Sequence, residues 1–135
     1  MPNGYNGKIL HVDLTNGTLT VEEPNEAFYR KYMGGSAMGM YYILRDMPKG
    51  ADPVGPDNVL TLMTGVTTGA AISGQSRINA NAKSPISGGI GDSQGGGFFP
   101  AEISGSSARL VFRTASTISW ASRMKLTNWR MTRSN

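Results

Sequence analysis

The chain contains no cysteine. Disulfides, thiolate zinc sites, iron–sulfur ligation and a cysteine nucleophile are therefore outside what these 135 residues can provide by themselves. Histidine is almost as scarce, with His11 the only one. A Ser-His-Asp triad or a histidine-based metal site would have to use it, and a lone histidine on an alternating strand reads as structural. No apolar run approaches the roughly 18 residues of a membrane helix. The opening Met1-Pro2-Asn3-Gly4-Tyr5-Asn6-Gly7 has neither the basic nor the apolar region of a secretory signal. The expectation is a cytoplasmic chain with no membrane contact. Paired carboxylates spaced for acid–base work are also missing, so no catalytic residue is assigned.

Acidic residues are absent from the last 32 positions. Residues 1–103 hold seven Lys/Arg and nine Asp/Glu, whereas residues 104–135 hold six Lys/Arg and no acid. The formal charge of +4 thus belongs to the C-terminal segment. All 18 glycines lie at or before Gly105, and all seven prolines at or before Pro100. Three readings of residues 104–135 stand side by side. They form a basic interaction arm, a strand-bearing end in which Arg109-Leu110-Val111-Phe112 has β character, or a sequence translated in a shifted frame. As a basic arm the segment would bind nucleic acid, with Trp120 and Trp129 available for stacking, and the chain would be a non-enzymatic adaptor.

The upstream part is more orderly. Leu10, Val12 and Leu14 alternate, Asn16-Gly17 follows, and Leu19 and Val21 alternate again, which predicts a tight β-hairpin. Pro24-Asn25-Glu26 predicts a helix start with Asn25 as N-cap, and Gly34-Gly35 its end. A second helix is predicted from about Ser36 to Met47, with Met40, Ile43, Leu44 and Met47 as its buried stripe. Asp46–Asn58 reads as a surface loop, Val59–Met63 as a buried strand, and Gly65–Ser76 as a second loop. Glu22-Glu23, at a strand end, reads as solvent-facing. The expected fold is α+β, a mixed or antiparallel sheet with two helices near the N-terminus.

Two segments carry candidate chemistry. In Arg77–Lys83, Ile78, Ala80 and Ala82 share one face, and Arg77, Asn79, Asn81 and Lys83 the other. Arginine offers a planar bidentate fork for phosphate, and asparagine both donors and acceptors for the edge of a heteroaromatic ring. The alternative is an ordinary half-exposed strand with a solvated face. The stretch Gly88–Gly97 is rich in glycine, which lets backbone N–H groups approach an anionic ligand. No Gly-Lys-Ser/Thr follows it, and Gly89-x-Gly91-x-x-Gln94 misses the third glycine of a dinucleotide fingerprint. A flexible loop is the alternative reading. Asp92, inside this stretch, is a candidate orienting acceptor.

The ordered series of segments over residues 6–103 resembles the N-terminal domain of the aldehyde:ferredoxin oxidoreductase family of tungsten/pterin enzymes. The resemblance rests on Asn6-Gly7-Lys8-Ile9-Leu10-His11-Val12-Asp13-Leu14-Thr15-Asn16-Gly17, Tyr32-Met33-Gly34-Gly35-Ser36-Ala37, and Asp52-Pro53-Val54-Gly55-Pro56-Asp57-Asn58. It continues through Gly65-Val66-Thr67-Thr68-Gly69, Gly74-Gln75-Ser76-Arg77-Ile78-Asn79 and Lys83-Ser84-Pro85-Ile86-Ser87-Gly88-Gly89, then Gly91-Asp92-Ser93-Gln94-Gly95-Gly96-Gly97-Phe98-Phe99 and Ala101-Glu102. It implies a domain, residues 1–103, that cradles a tungsten or molybdenum atom held by two pterins, with magnesium between their phosphates. Arg77 falls on the family's phosphate-contacting arginine, Gln94 on its pterin- and magnesium-contacting asparagine, and Gly96 on its cofactor-contacting glycine. Asn79, Gly95 and Gly97 complete the implied cofactor set, with Gln94 the metal-contacting member. Gln94 is one methylene longer than asparagine, and Ser36 stands where many members carry arginine. The triple glycine and Phe98-Phe99 resemble the branch that includes aryl-CoA reductase subunits. The parent enzyme would convert an aldehyde to a carboxylic acid, or reduce an activated aromatic acid. Its electrons would pass through a 4Fe-4S cluster in downstream domains to ferredoxin or an electron-transfer subunit. The resemblance ends after Glu102, where the composition also changes, which favours a frame shift near codon 103.

Overall fold

The computed structural model describes residues 5–105 and 109–113. Six strands and three helices follow in the order β1 (Ile9–Asp13), β2 (Thr18–Glu22), α1 (Glu26–Tyr32), α2 (Gly35–Asp46), β3 (Val59–Thr64), β4 (Ile78–Lys83), β5 (Ile90–Gly95), α3 (Phe98–Gly105) and β6 (Arg109–Arg113). The strands form one mixed sheet in the order β2-β1-β6-β3-β4-β5. Only β1 and β6 run parallel among these pairs. The fold is α+β, as expected, with a third helix that the sequence reading did not include.

The hairpin forms with a different turn. Asp13 pairs with Thr18, so Leu14–Gly17 makes a four-residue connection. Gly17 has φ +67° while Asn16 is not among the positive-φ residues. The turn is held by the Asp13 carboxylate, which accepts from the Thr15 N–H at 2.8 Å, the Asn16 N–H at 3.2 Å and the Asn16 amide at 2.9 Å. These bonds keep the Asp13 carboxyl below its usual range, the Asn16 N–H contributing most.

Asn25 caps α1 as the sequence predicts, its Oδ1 accepting from the Phe28 N–H at 3.0 Å. Gly34 must be glycine, because its φ is +140° and a Cβ there would lie 2.6 Å from the Thr64 carbonyl oxygen. This close approach seats the start of α2 against the end of β3. The buried face of α2 is formed by Met38, Gly39, Tyr42 and Ile43. Of the expected stripe only Ile43 is in the core, and Leu44 is 74% exposed. The apolar count passed over Tyr42 and Gly39, yet Gly39 is where the helix comes nearest the sheet.

The core joins Tyr29, Met38, Tyr42 and Ile43 to Ile9, Val59, Met63 and Val111 on one face of the sheet. On the other face Leu10, Val12, Leu60, Leu62 and Phe112 are half-buried. The sheet takes its β6 from beyond the compositional break. Arg109–Arg113 is inserted between β1 and β3, Val111 opposite both His11 and Thr61. Residues 114–135, with Trp120 and Trp129, lie outside the described residues. Among the described residues no helix is long and apolar enough to cross a membrane.

Candidate cofactor site

The two segments singled out in the sequence meet at one edge of the sheet. The glycine-rich stretch is an edge strand, not a loop, over Ile90–Gly95, antiparallel to β4 with Ile78 opposite Gly95 and Asn79 opposite Gln94. Arg77 immediately precedes β4. Its carbonyl accepts from the Thr68 hydroxyl at 2.9 Å, and Thr68 Oγ1 in turn accepts from the Gly65 N–H at 3.2 Å. The backbone is thus clamped while the side chain is exposed. The Arg77 guanidinium makes no ion pair or hydrogen bond among the described residues, and its Nη1 lies 3.8 Å from where a Cβ on Gly96 would stand. The Ser76 hydroxyl donates to the Gly97 carbonyl. Gly97, at φ +95°, turns the chain into α3. Arg77, Gln94, Gly95, Gly96 and Gly97 are therefore neighbours, and Gln94 is exposed.

Asn79 is differently engaged. Its Nδ2 donates to Ser36 Oγ at 2.8 Å and reaches Asp92 Oδ1 at 3.5 Å, while Ser36 Oγ donates to Asp92 Oδ2 at 2.6 Å. A Cβ on Gly35 would lie 3.1 Å from Asn79 Oδ1. Asn79 is thus pressed against the first turn of α2 and supports the edge from within. The rest of its face is covered too. Asn81 is fully buried under Gly39, and Lys83 Nζ donates to the Ala51 carbonyl at 2.5 Å. The alternating polar residues from 77 to 83 therefore split: the Arg77 guanidinium is exposed, with no ion pair or hydrogen bond among the described residues, while Asn81 is buried and Asn79 and Lys83 are half-buried and hydrogen-bonded.

A second polar cluster lies at the far end of α2, around a cavity of about 410 Å³ whose walls include His11, Glu22, Arg45, Asp46 and Arg113. Glu22, expected to face solvent, accepts from His11 Nε2 at 2.8 Å and from Arg45 Nη1 at 3.1 Å. Arg45 also donates to Asp46 at 2.6 and 3.1 Å and stacks 4.5 Å above the Tyr42 ring. Hydrogen bonds to Asp46 and then Glu22 hold the guanidinium above its ordinary value. Burial, with the charge of Glu22, pushes the Tyr42 phenol up. Nothing local in the sequence marks this cluster, because its members come from β1, β2 and α2. His11, Glu22, Arg45 and Asp46 satisfy one another and tie the hairpin to the helix.

At the first site the available chemistry is a guanidinium without a partner among the described residues, an exposed carboxamide and exposed glycine backbone. That donor set fits an anionic ligand whose oxygens take bidentate and N–H hydrogen bonds. Among the described residues no group of three His, Cys, Asp or Glu could hold a metal ion.

Comparison with known proteins agrees on the origin of this arrangement. A family model for the aldehyde ferredoxin oxidoreductase N-terminal domain matches residues 9–116. The chain is 41% identical over 100 residues to the tungsten-containing aldehyde ferredoxin oxidoreductase of Pyrococcus abyssi, covering 74% of this chain and 16% of that protein. It is 37% identical over 68 residues to the WOR-like subunit of an aliphatic sulfonate oxidoreductase from Pyrococcus furiosus, covering 48% of this chain and 11% of that one. A chain of the active-site complex BamBC of benzoyl coenzyme A reductase, solved in complex with 1,5-dienoyl-CoA, superimposes with a TM-score of 0.81 at 25% identity, over 87% of this chain and 18% of that chain. The chain spans about a sixth of the length of the relatives it matches. The family match also runs past the compositional break and through β6, which the sheet places at its centre. By family match, identity and fold together, the chain belongs to the aldehyde ferredoxin oxidoreductase family and carries its N-terminal domain.

Proposed function

We propose that this domain supplies one wall of the cradle for a bis-pterin tungsten or molybdenum cofactor. The observation that carries the reading is the exposed Arg77 guanidinium, without an ion pair among the described residues, beside the glycine backbone of 95–97. Arg77 binds a cofactor phosphate through its planar fork, and the Gly95–Gly97 N–H groups approach the same oxygens. Gln94 would offer its carboxamide to the pterin edge and its carbonyl oxygen to a magnesium ion. Asn79 acts from behind, through Ser36 and Asp92. When bound, the tungsten centre supplies the redox chemistry, while these residues bind and orient it.

The parent enzyme would oxidise an aldehyde to a carboxylic acid in the cytoplasm, with an iron–sulfur cluster supplying electron transfer to ferredoxin or a dedicated subunit. The benzoyl-CoA reductase likeness supports an aryl-CoA branch as the alternative substrate class. Cluster ligands and substrate pocket belong to sequence beyond the sixth of the family length found here.

The test compares Arg77→Ala with Lys83→Ala in a full-length version carrying the family's downstream domains. A bidentate guanidinium–phosphate contact is worth about 1.5–3 kcal/mol, roughly ten- to hundred-fold in affinity. Tungsten and pterin content per folded protein should fall for Arg77→Ala. Lys83→Ala should retain the cofactor, because Lys83 serves the Ala51 carbonyl. Equal occupancy in wild type and Arg77→Ala would reduce Arg77 to a surface residue.

A further inference from the structure

The glycine-rich edge strand lacks the features that normally fix a strand in place. Its sequence is Ile-Gly-Asp-Ser-Gln-Gly, none of its residues is buried, and among the described residues it pairs with β4 alone. Ile90, its single large apolar side chain, is 39% exposed. In β3, by contrast, register is specified by burial. Val59, Thr61 and Met63 of β3 must face the helices, so a one-residue slip would turn the core outward. In β5 such a slip would displace no fully buried side chain. It would nevertheless replace Gln94 opposite Asn79 with Ser93 or Gly95, and carry the Gly95–Gly97 backbone away from Arg77.

One side chain opposes that slip. Asp92 is the only residue of β5 whose side chain hydrogen-bonds to the rest of the protein among the described residues. In the observed register it lies on the same face as Gln94, toward α2, and takes the Ser36 hydroxyl at 2.6 Å with the Asn79 amide at 3.5 Å. Both partners are themselves fixed. Ser36 is in the first turn of α2, and Asn79 is wedged against Gly35 and donates to Ser36 at 2.8 Å. The N-cap of α2, Gly34, makes no side-chain cap. A carboxylate anchored in that first turn also meets the positive end of the helix dipole. A slip by one residue would point Asp92 to the opposite face and lose all of these partners.

We propose that Asp92 is the positioning residue of the cradle: its clamp on Ser36 and Asn79 locks β5 in register and so holds Gln94 and Gly95–Gly97 beside Arg77. The inference rests on the cofactor reading above, and its test has a readout that needs no cofactor. Amide hydrogen exchange is measured on the full 135-residue chain for wild type, Asp92→Ala, Asp92→Asn and Ser36→Ala. Binding of inorganic pyrophosphate serves as the probe of the cradle. In Asp92→Ala the amides of residues 90–97 should exchange at least ten-fold faster, with those of β1, β3 and β6 unchanged, and pyrophosphate affinity should fall about five-fold or more. Asp92→Asn keeps an acceptor for the Ser36 hydroxyl and should restore most of both. Ser36→Ala, which removes one partner and leaves the carboxylate, should speed exchange in 90–97 by a smaller factor, and it decides the matter if Asp92→Ala does not fold. Wild-type exchange across β5 in both Asp92→Ala and Ser36→Ala overturns the proposal, as does failure of asparagine to restore protection. Absence of pyrophosphate binding in the wild type strikes the cofactor reading alone, since the exchange result is obtained without ligand.

Discussion

Replacing Gly39 by alanine is the sharpest test of how the helix sits on the sheet. In an exposed helix interior this change stabilises by about 1 kcal/mol, because glycine is the poorer helix former. At Gly39 the added Cβ would lie 2.5 Å from Asn81 Oδ1 and 2.7 Å from Thr61 Oγ1, about an ångström short of an ordinary contact. Neither neighbour can step aside cheaply. Asn81 and Thr61 are both fully buried and sit opposite each other on β4 and β3. The helix must lift instead, opening the packing of Met38, Tyr42 and Ile43. Overpacking of this kind costs about 1–3 kcal/mol. With lifting at the upper end of that range and the propensity gain subtracted, the net loss is about 2 kcal/mol. For a domain of this size that lowers Tm by roughly 6–12 °C. Thermal unfolding followed by circular dichroism measures it. An Asn81→Ala background removes the nearest obstructing atom, so Gly39→Ala should cost less there than in the wild type. An unchanged or higher Tm for Gly39→Ala alone would refute the close approach of α2 to β3 and β4.

Three further outcomes are expected. Asp13, with its carboxyl held below the usual range, contributes stability that is present above about pH 4 and is lost as pH falls through its folded value; the Tm difference between wild type and Asp13→Asn should therefore shrink below pH 4, and a difference constant down to pH 2 would contradict the role of the turn. The purified 135-residue chain should show neither viologen-linked aldehyde oxidation nor iron–sulfur absorption, having no cysteine; measurable turnover would show that the domain needs nothing more. Because Arg109–Arg113 pairs in register with β1 and β3 and the family match reaches residue 116, a frame shift is expected downstream of codon 116 rather than near codon 103. Genomic DNA read there in the other two frames should continue family-like sequence with acids and glycines; if neither does, the basic segment is native.

The parts of the fold governed by short-range chemistry were legible in the sequence. Alternation around Asn16-Gly17 announced the hairpin, and Asn25 announced the start of α1. The turn type was not, since Asp13 reorganises it by accepting three hydrogen bonds. The strand character of Ile90–Gly95 was hidden because glycine, aspartate and serine are poor strand formers. Pairing with β4 supplies what propensity does not. The face of α2 was misplaced by counting apolar residues when a missing side chain, at Gly39, decides the closest contact. For the candidate site, the sequence brought Arg77 and the glycine run into one hypothesis. It could not tell that Asn79 and Asn81 lie beneath a helix, because the Ser36–Asp92 bond spans 56 residues.

The position of β6 has a bearing on how the protein is made. Ile9 pairs with Arg109, so β1 waits for β6 before its inner edge is closed. Until then the β1–β2 hairpin and the β3–β4–β5 meander are two separate pieces, each with an unpaired edge that could add a foreign strand. Closure is a long-range event, slow to find and exposed to aggregation while it is sought. A nascent chain halted before residue 109 would leave those edges open, whereas five more residues join both halves at once. The keystone strand therefore makes closure of the sheet a single step that joins both halves only once residues 109–113 are available.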